Sequence, residues 1–376
     1  MIPPEYLFLL DLAGTFAPYI IITLSLNLEY GYGGIPNFGK ALAVACGAFV
    51  AGFFPGRLAA ELLNLGAGFD PMRYIRENSI VVTEINRVLA SDALFGAGLL
   101  TLTLILAIVI GALLGLLVFY SFVKLRAEFL AMVLLAAAEV LLLIGYNYPP
   151  LVGGTLGVSL PDPFIWAGEY RFVAVTIFLL IMAVAVFLYV HKLMKSPLGR
   201  LLKAVRDDEN AALAFGKDVT KIRMKAFVTS SAIASLGGAL YAFYTGSVIA
   251  IAYNRVSWTF WPWVMVILGG AANNVGVVLG TFTFVAVRKL IIRYKYQLSP
   301  FLPFDVVWLD MLLLGIALLF ILLYRPEGLI PEKPVRTLSL EKLMKYVGPK
   351  PARKAGIPIS VERVKSILKK GGRGLS

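Results

Sequence analysis

Residues 98–121 contain no Asp, Glu, Lys or Arg. As a helix, a run of that length crosses the roughly 30 Å of hydrocarbon in a bilayer. Comparable runs lie at 6–28, 127–146, 171–191, 226–245 and 306–324. The chain as a whole agrees with them. Of its 376 residues 59% are hydrophobic and 15% charged, and mean hydropathy is +0.82, too apolar for a soluble domain of this length. The fold class that follows is an all-α polytopic membrane protein. Met1 to Asp11 carries no Lys or Arg and the first run continues to membrane length, so it reads as a span and not as a cleavable signal peptide.

Two regions are interrupted. "GYGGIPNFGK" at 31–40 stands between the first run and a short one at 39–54. "LGGAANNVG" at 268–276 splits an apolar stretch, 258–292, that is too long for one helix. Reading that stretch as two short spans gives about nine crossings, within a range of 8–10. Charge supports the split. The tail 325–376 holds 13 Lys/Arg against 4 Asp/Glu and the loop 192–225 holds 9 against 4, which marks both as cytoplasmic. An even number of crossings must then separate them, and 226–245, 258–270, 274–292 and 306–324 supply it. The N-terminus, with Glu5 and Asp11 and no basic residue, falls outside; Arg288, Lys289, Arg293 and Lys295 fall at an outer end, against the rule.

The organisation read from this is spans with a glycine-rich break at 1–55, an extracytoplasmic insert at 56–96 and spans at 97–191. A cytoplasmic loop at 192–225, spans at 226–324 and a basic cytoplasmic tail at 325–376 follow. "GGIPNFG" at 33–39 and "GGAANNVG" at 269–276 share the form GG-x-x-N, a faint echo of two similar halves. Non-helical backbone at membrane depth is tolerated only where protein or a watery path covers it. Paired, glycine-interrupted spans are therefore pointers to a binding path.

Within the insert, Asp70 reads as an N-cap with Pro71 in the first turn. In the loop, Ser196 and Pro197 open a helix with Leu198, Leu201, Leu202 and Val205 at helical spacing and Arg200, Lys203 and Arg206 opposite. Asp207 and Asp208 are placed to cap a second short helix that Gly216 ends. Gly111/Gly115 and Gly276/Gly280 read as helix contacts. In the tail, "SVERVKSILKK" reads as an interfacial helix on anionic lipid or as a solvated basic segment. Single residues at Cys46 and His191 give neither an internal disulfide nor a metal site and read as packing or lipid-facing residues. "DDEN" at 207–210 has no second acidic cluster with which to hold magnesium. No G-x-x-x-x-G-K-[ST] sequence is present, which excludes ATP hydrolysis by that route in this chain. Glu139 is the outstanding charge inside a span, reading as a polar group of the interior or as a hydrogen bond to a neighbouring helix; Asp310 lies nearer an end.

Six segments in order resemble the inner-membrane permeases of branched-chain amino acid ABC transporters. They are "LNLEYGYGGIPNFGKALAVACGAFVAG" (26–52), "KLRAEFLAMVLLAAAEV" (124–140), "LVGGTLGVSLP" (151–161), the 195–227 loop, "VMVILGGAANNVGVVLGT" (264–281) and "YRPEGLIP" (324–331). The resemblance implies an ABC importer permease fold that forms a translocation path for branched-chain amino acids across the plasma membrane. It implies no enzyme activity and no cofactor in this chain, ATP and Mg²⁺ being held by a separate ATPase. The implied partners are a second homologous permease, two ATPase subunits, an extracytoplasmic solute-binding protein and membrane lipid, with no nucleic acid. It carries Gly199, Arg206, Asp208, Glu209, Ala211, Ala212 and Gly216 over as the ATPase-coupling loop, and an acidic residue at the place of Glu139. Asn37, Lys40, Glu139 and Asn273 are the substrate-path candidates; Asn37 and Lys40 stand where the family has Ser and His. The larger outer insert and the basic tail also depart from the family. Transport of urea, an amide or another small polar solute, and an ion-coupled secondary transporter, are the alternatives.

Overall fold

The computed structural model describes residues 4–66, 70–122, 125, 127–294, 297, 307–324 and 327–332. The tail beyond Glu332, with the segment "SVERVKSILKK", lies outside them, as do Lys295 and the side chain of Asp310.

Helix α1 (Pro4–Leu26) runs into a π-helical turn, Asn27–Tyr32, and α2 (Lys40–Leu62) follows the break. The 39–54 run is therefore a full-length helix, because the backbone continues helically through Pro55 into what reads in sequence as the insert. The insert holds α3 (Pro71–Arg76) and α4 (Asn78–Ser91). Asp70 caps α3 as expected, accepting from the amides of Met72 and Arg73. Long helices α5 (Ala93–Phe122) and α6 (Ala127–Asn147), a turn α7 (Pro149–Val152) and α8 (Arg171–Lys195) lead to the loop. The loop is α9 (Pro197–Asp207) and α10 (Glu209–Ala214), and α11 (Val219–Thr245) returns from it. Then come α12 (Trp261–Gly269), α13 (Asn274–Arg293) and α14 (Val307–Tyr324).

Among the described residues seven helices are long and apolar enough to cross a membrane, the first being Tyr6–Tyr32 and the last Asn274–Arg293. The expected span 258–270 is a half-helix. Nine residues of α12 rise only about 14 Å, and a π turn at Val256–Phe260 precedes them.

Contacts sort the loops into two ends. At one, two-residue strands β1 (Val158–Ser159) and β2 (Ser247–Val248) pair antiparallel, the Ser159 amide donates to Asn78, and the Asp162 amide donates to Asn86. Arg57, buried at the end of α2, donates to the carbonyls of Phe53 and Pro150 and lies over the rings of Phe53 and Tyr74. Tyr74 is itself fully buried against Ala59, Ala60 and Ile85, and that burial pushes its phenol up to about 12. The insert is thus fastened to the bundle and to the 147–163 loop. Three of the basic residues that break the charge rule, Arg288, Lys289 and Arg293, have partners among the described residues. Lys289 pairs with Asp11 at 2.7 Å, and Arg288 and Arg293 lie over the rings of Trp261 and Phe8.

The core is centred on α11, which α1, α2 and α5 surround. Close approach is built from small residues. A side chain at Gly47 would overlap the Ser235 carbonyl and one at Gly238 the Val44 carbonyl, so α2 and α11 touch backbone to backbone. Gly111 and Gly115 meet Ser235 and Ser231 of α11, while Gly276 and Gly280 meet the backbone of α12, as the spacing predicts. Gly47→Leu or Gly238→Leu should therefore abolish the monodisperse peak in detergent size-exclusion chromatography, since overpacking of this kind costs about 1–3 kcal/mol or more. Gly98→Leu, with nothing within 4 Å of a Cβ at that position, should leave it intact.

Candidate functional site

The site grows from the need to close two broken helices. At the first break α1 ends in the π turn, Gly34 takes φ +66°, and Asn37 turns the chain back. Its Oδ1 accepts from the Gly39 amide at 2.8 Å. The free amide of Ala41 at the start of α2 donates to Thr259 Oγ1, and the Asn37 carbonyl accepts from Trp263 Nε1. Phe38 stacks on the same indole, with centroids 4.6 Å apart.

Inside this turn sits a charged cluster. Glu29 and Lys40 are both fully buried, with Lys40 Nζ 3.1 Å from Glu29 Oε2. Asn37 Nδ2 donates to the same oxygen. Lys40 also donates to Ser230 Oγ on α11, whose hydroxyl in turn donates to the Ser25 carbonyl near the end of α1. The pair makes the charges tolerable at this depth, since removing one member of such a pair leaves a buried charge at a cost of about 3–5 kcal/mol. Glu29 Oε1 has no hydrogen-bond partner among the described residues.

The second break repeats the geometry with different chemistry. Gly270 has φ +105° and Ala272 φ +61°. Asn273 caps α13 by accepting from the amides of Val275 and Gly276. The two breaks meet directly: the Ala272 amide donates to Asn27 Oδ1 at 2.8 Å, and Asn27 Nδ2 donates to Asn274 Oδ1 at 2.9 Å. One turn further on, the hydroxyls of Thr23 and Thr281 are 3.0 Å apart.

Of the four path candidates, only Asn37 and Lys40 share a site. Asn273 is a cap that also donates to the Pro331 carbonyl. Glu139 lies elsewhere on α6, its side chain 39% exposed and 3.8 Å from Arg255. Their common partner Glu29 escapes the sequence reading because it stands just past the end of the 6–28 run. The signal is an acid and a lysine flanking one glycine-rich break.

The loop residues occupy two faces. Asp208 caps α10, and Glu209 forms a bidentate pair with Arg223 at 2.8 and 3.1 Å. Gly199 lies so close to the Met194 carbonyl that no side chain fits. Gly216 exits α10 at φ +69°, where a glycine costs least. Ala212 is buried, so it packs α10 inward. Leu213, 52% exposed, and Phe215, 82% exposed, project at the tip; neither stands out in sequence, where an apolar residue in a short amphipathic helix reads as inward. Arg206 points back to the first break and donates to the Gly31 carbonyl at 2.6 Å. Asp218, the exposed cap of α11, accepts from the Lys221 amide, which holds its carboxyl below the usual range. Among the described residues no group of His, Cys, Asp or Glu is arranged to hold a metal.

A family described as branched-chain amino acid transport system, permease component, matches residues 8–322. The chain is 42% identical over 330 residues to a probable branched-chain amino acid transport permease protein, LivM, of Methanocaldococcus jannaschii, covering 87% of this chain and 94% of that one. It is 25% identical over 348 residues to the high-affinity branched-chain amino acid transport system permease protein LivM of Escherichia coli, covering 85% and 69%. The protein of the same name from Salmonella typhimurium is 26% identical over 262 residues, covering 63% and 58%. No solved structure matches. With the match spanning both breaks and the loop between them, the chain is a multi-pass membrane protein that belongs to the branched-chain amino acid transport permease family.

Proposed function

We propose that this chain is the membrane-spanning subunit of an ATP-driven importer of branched-chain amino acids. It stands in the cell membrane with the N-terminus outside and the C-terminus in the cytoplasm. A second homologous permease completes the path, two ATPase subunits hold ATP and Mg²⁺, and an extracytoplasmic binding protein delivers the solute. The observation that carries the reading is the tip of the 196–218 segment. Phe215 and Leu213 stand exposed among charged residues on a short capped helix, as an anchor for a groove on another protein does. The same segment is tied through Arg206 to the first break, so force applied at the tip has a path into the membrane.

At the break, Glu29 and Lys40 neutralise one another while it is closed. An amino acid carries the same two charges, a carboxylate and an ammonium. A solute passing the opened break therefore exchanges partners with Lys40, Asn37 and Glu29 and leaves no bare charge in a low-dielectric setting. The branched side chain needs no polar partner.

Two outcomes test these roles in proteoliposomes that contain the whole importer. Phe215→Ala should weaken ATPase binding by roughly 2 kcal/mol, about 30-fold in affinity, and Glu209→Ala with Gly216→Ala should leave ATP hydrolysis running while uptake falls at least fivefold. Unchanged uptake in both would remove the docking assignment. For the break, Lys40→Met should lower both assembly and uptake by leaving Glu29 unpaired. The double variant Glu29→Gln with Lys40→Met should restore assembly but leave uptake at least tenfold down, about 1.4 kcal/mol. Recovery of uptake along with assembly would show that the pair is structural only.

A further inference from the structure

The segment "YRPEGLIP" has no role in the reading above, yet residues 327–332 sit at the junction of everything else. Gly328 takes φ +76° with its backbone against Gly270. The amides of Leu329 and Ile330 donate to the carbonyls of Leu268 and Gly269 at 2.9 and 3.1 Å. Those carbonyls belong to the last turn of α12, which has no partners of its own for them. Asn273, the cap of α13, donates in turn to the Pro331 carbonyl at 3.1 Å. The second break is therefore closed by a strap that arrives some sixty residues later in the chain.

The strap ends on a carboxylate. Glu332 reaches α9 with both oxygens: Oε2 lies 2.9 Å from Arg206 Nη1 and Oε1 lies 3.1 Å from Lys203 Nζ. The same Arg206 nitrogen donates to the Gly31 carbonyl in the π turn of the first break. Lys203 stands 5.2 Å from the ring of Tyr32 in that turn. Gly199, Leu202 and Val205 of α9 are themselves buried. Charge-assisted hydrogen bonds thus join Glu332 to α9 and α9 to the first break, and the backbone bonds of the strap carry Glu332 to the second break. The two cations and the one anion are each about three-quarters buried, where such contacts are screened less than at the surface.

We infer that Glu332 is a positioning residue of the transport cycle: it clasps α9 to both broken helices, so that a displacement of the 196–218 segment moves the two breaks as one body. The inference rests on the proposal that this segment is where an ATPase docks. Glu332 touches neither solute nor nucleotide. It acts through Arg206 and Lys203 on one side and through its own backbone, by way of Ile330 and Leu329, on the other.

The test uses the complete importer in proteoliposomes and reads solute taken up per ATP hydrolysed, with the melting temperature as a second measurement. Glu332→Gln should keep ATP hydrolysis within about twofold and cut uptake per ATP at least fivefold, with the melting temperature unchanged. Glu332→Asp should recover at least half of the ratio. Arg206→Gln should behave as Glu332→Gln does, and the two together should be no worse than either. An unchanged ratio in Glu332→Gln overturns the inference. So does a parallel fall of hydrolysis, uptake and melting temperature that Glu332→Asp fails to relieve, which is the pattern of a plain structural tether. A variant with Cys46→Ala, Lys203→Cys and Glu332→Cys supplies the converse. It should be uncoupled as made and regain uptake per ATP once a short bis-maleimide bridges the two new cysteines. A bridged protein that stays uncoupled also overturns it. Failure of the docking proposal is separable, because it shows as intact coupling in the Glu209→Ala, Gly216→Ala variant whatever Glu332→Gln does.

Discussion

A backbone amide or carbonyl that leaves a helix at membrane depth has no water to turn to, and each one left unpaired costs several kcal/mol. The two breaks of this protein are organised around that constraint. The amides of Ala41 and Ala272 go to Thr259 and Asn27. The carbonyls of Gly31, Asn37, Leu268 and Gly269 receive Arg206, Trp263, Leu329 and Ile330. Nearly every one of these partners comes from a different element. Closing the breaks is thus what ties the first helix to the twelfth and thirteenth, and the loop to both.

The same constraint explains where the small residues lie. A broken helix must be covered by neighbours at close range, and Gly47, Gly238, Gly111 and Gly115 let α2 and α5 press against α11 without intervening side chains. That close contact brings Ser230 within reach of Lys40 and the Ser25 carbonyl. Packing density and polar satisfaction are here one problem: a bulkier α11 surface would hold its hydroxyls away from the groups they serve.

What the sequence makes legible follows from range. Helices set by long apolar runs, the Asp70 and Asp208 caps, the Gly216 turn and the small-residue contacts are decided by neighbours a few residues away, and they stand where periodicity and capping put them. Glu29, Ala212 and Glu332 depend on partners far along the chain. Nothing near Glu29 says that Lys40 and Ser230 will surround it, and a lone Glu after an apolar run reads as a boundary. Ala212 is carried over by the resemblance with no sign of its burial, and α10 turns it inward while Leu213 and Phe215 stay outside. The expected short span 258–270 is a π turn followed by the nine residues of α12, whose last carbonyls accept from the strap at 328–331, again far along the chain.

The two breaks also show how a shared backbone plan can be put to unequal use. Asn37 and Asn273 stand at the same place in GG-x-x-N, and each turns its side-chain oxygen onto an amide two residues ahead. Around the first, the remaining polar groups are a Glu–Lys pair and a guanidinium from the loop. Around the second they are uncharged amides and a strap of backbone. Charge pairs in a low-dielectric setting have interactions that change steeply with separation, whereas backbone hydrogen bonds of a fixed strap hold one geometry. The first break is therefore the one whose energy is the more sensitive to the separation of its charged groups. Arg206 bonds the first break and Glu332, and the strap that carries Glu332 bonds the second, so these two side chains stand between the breaks.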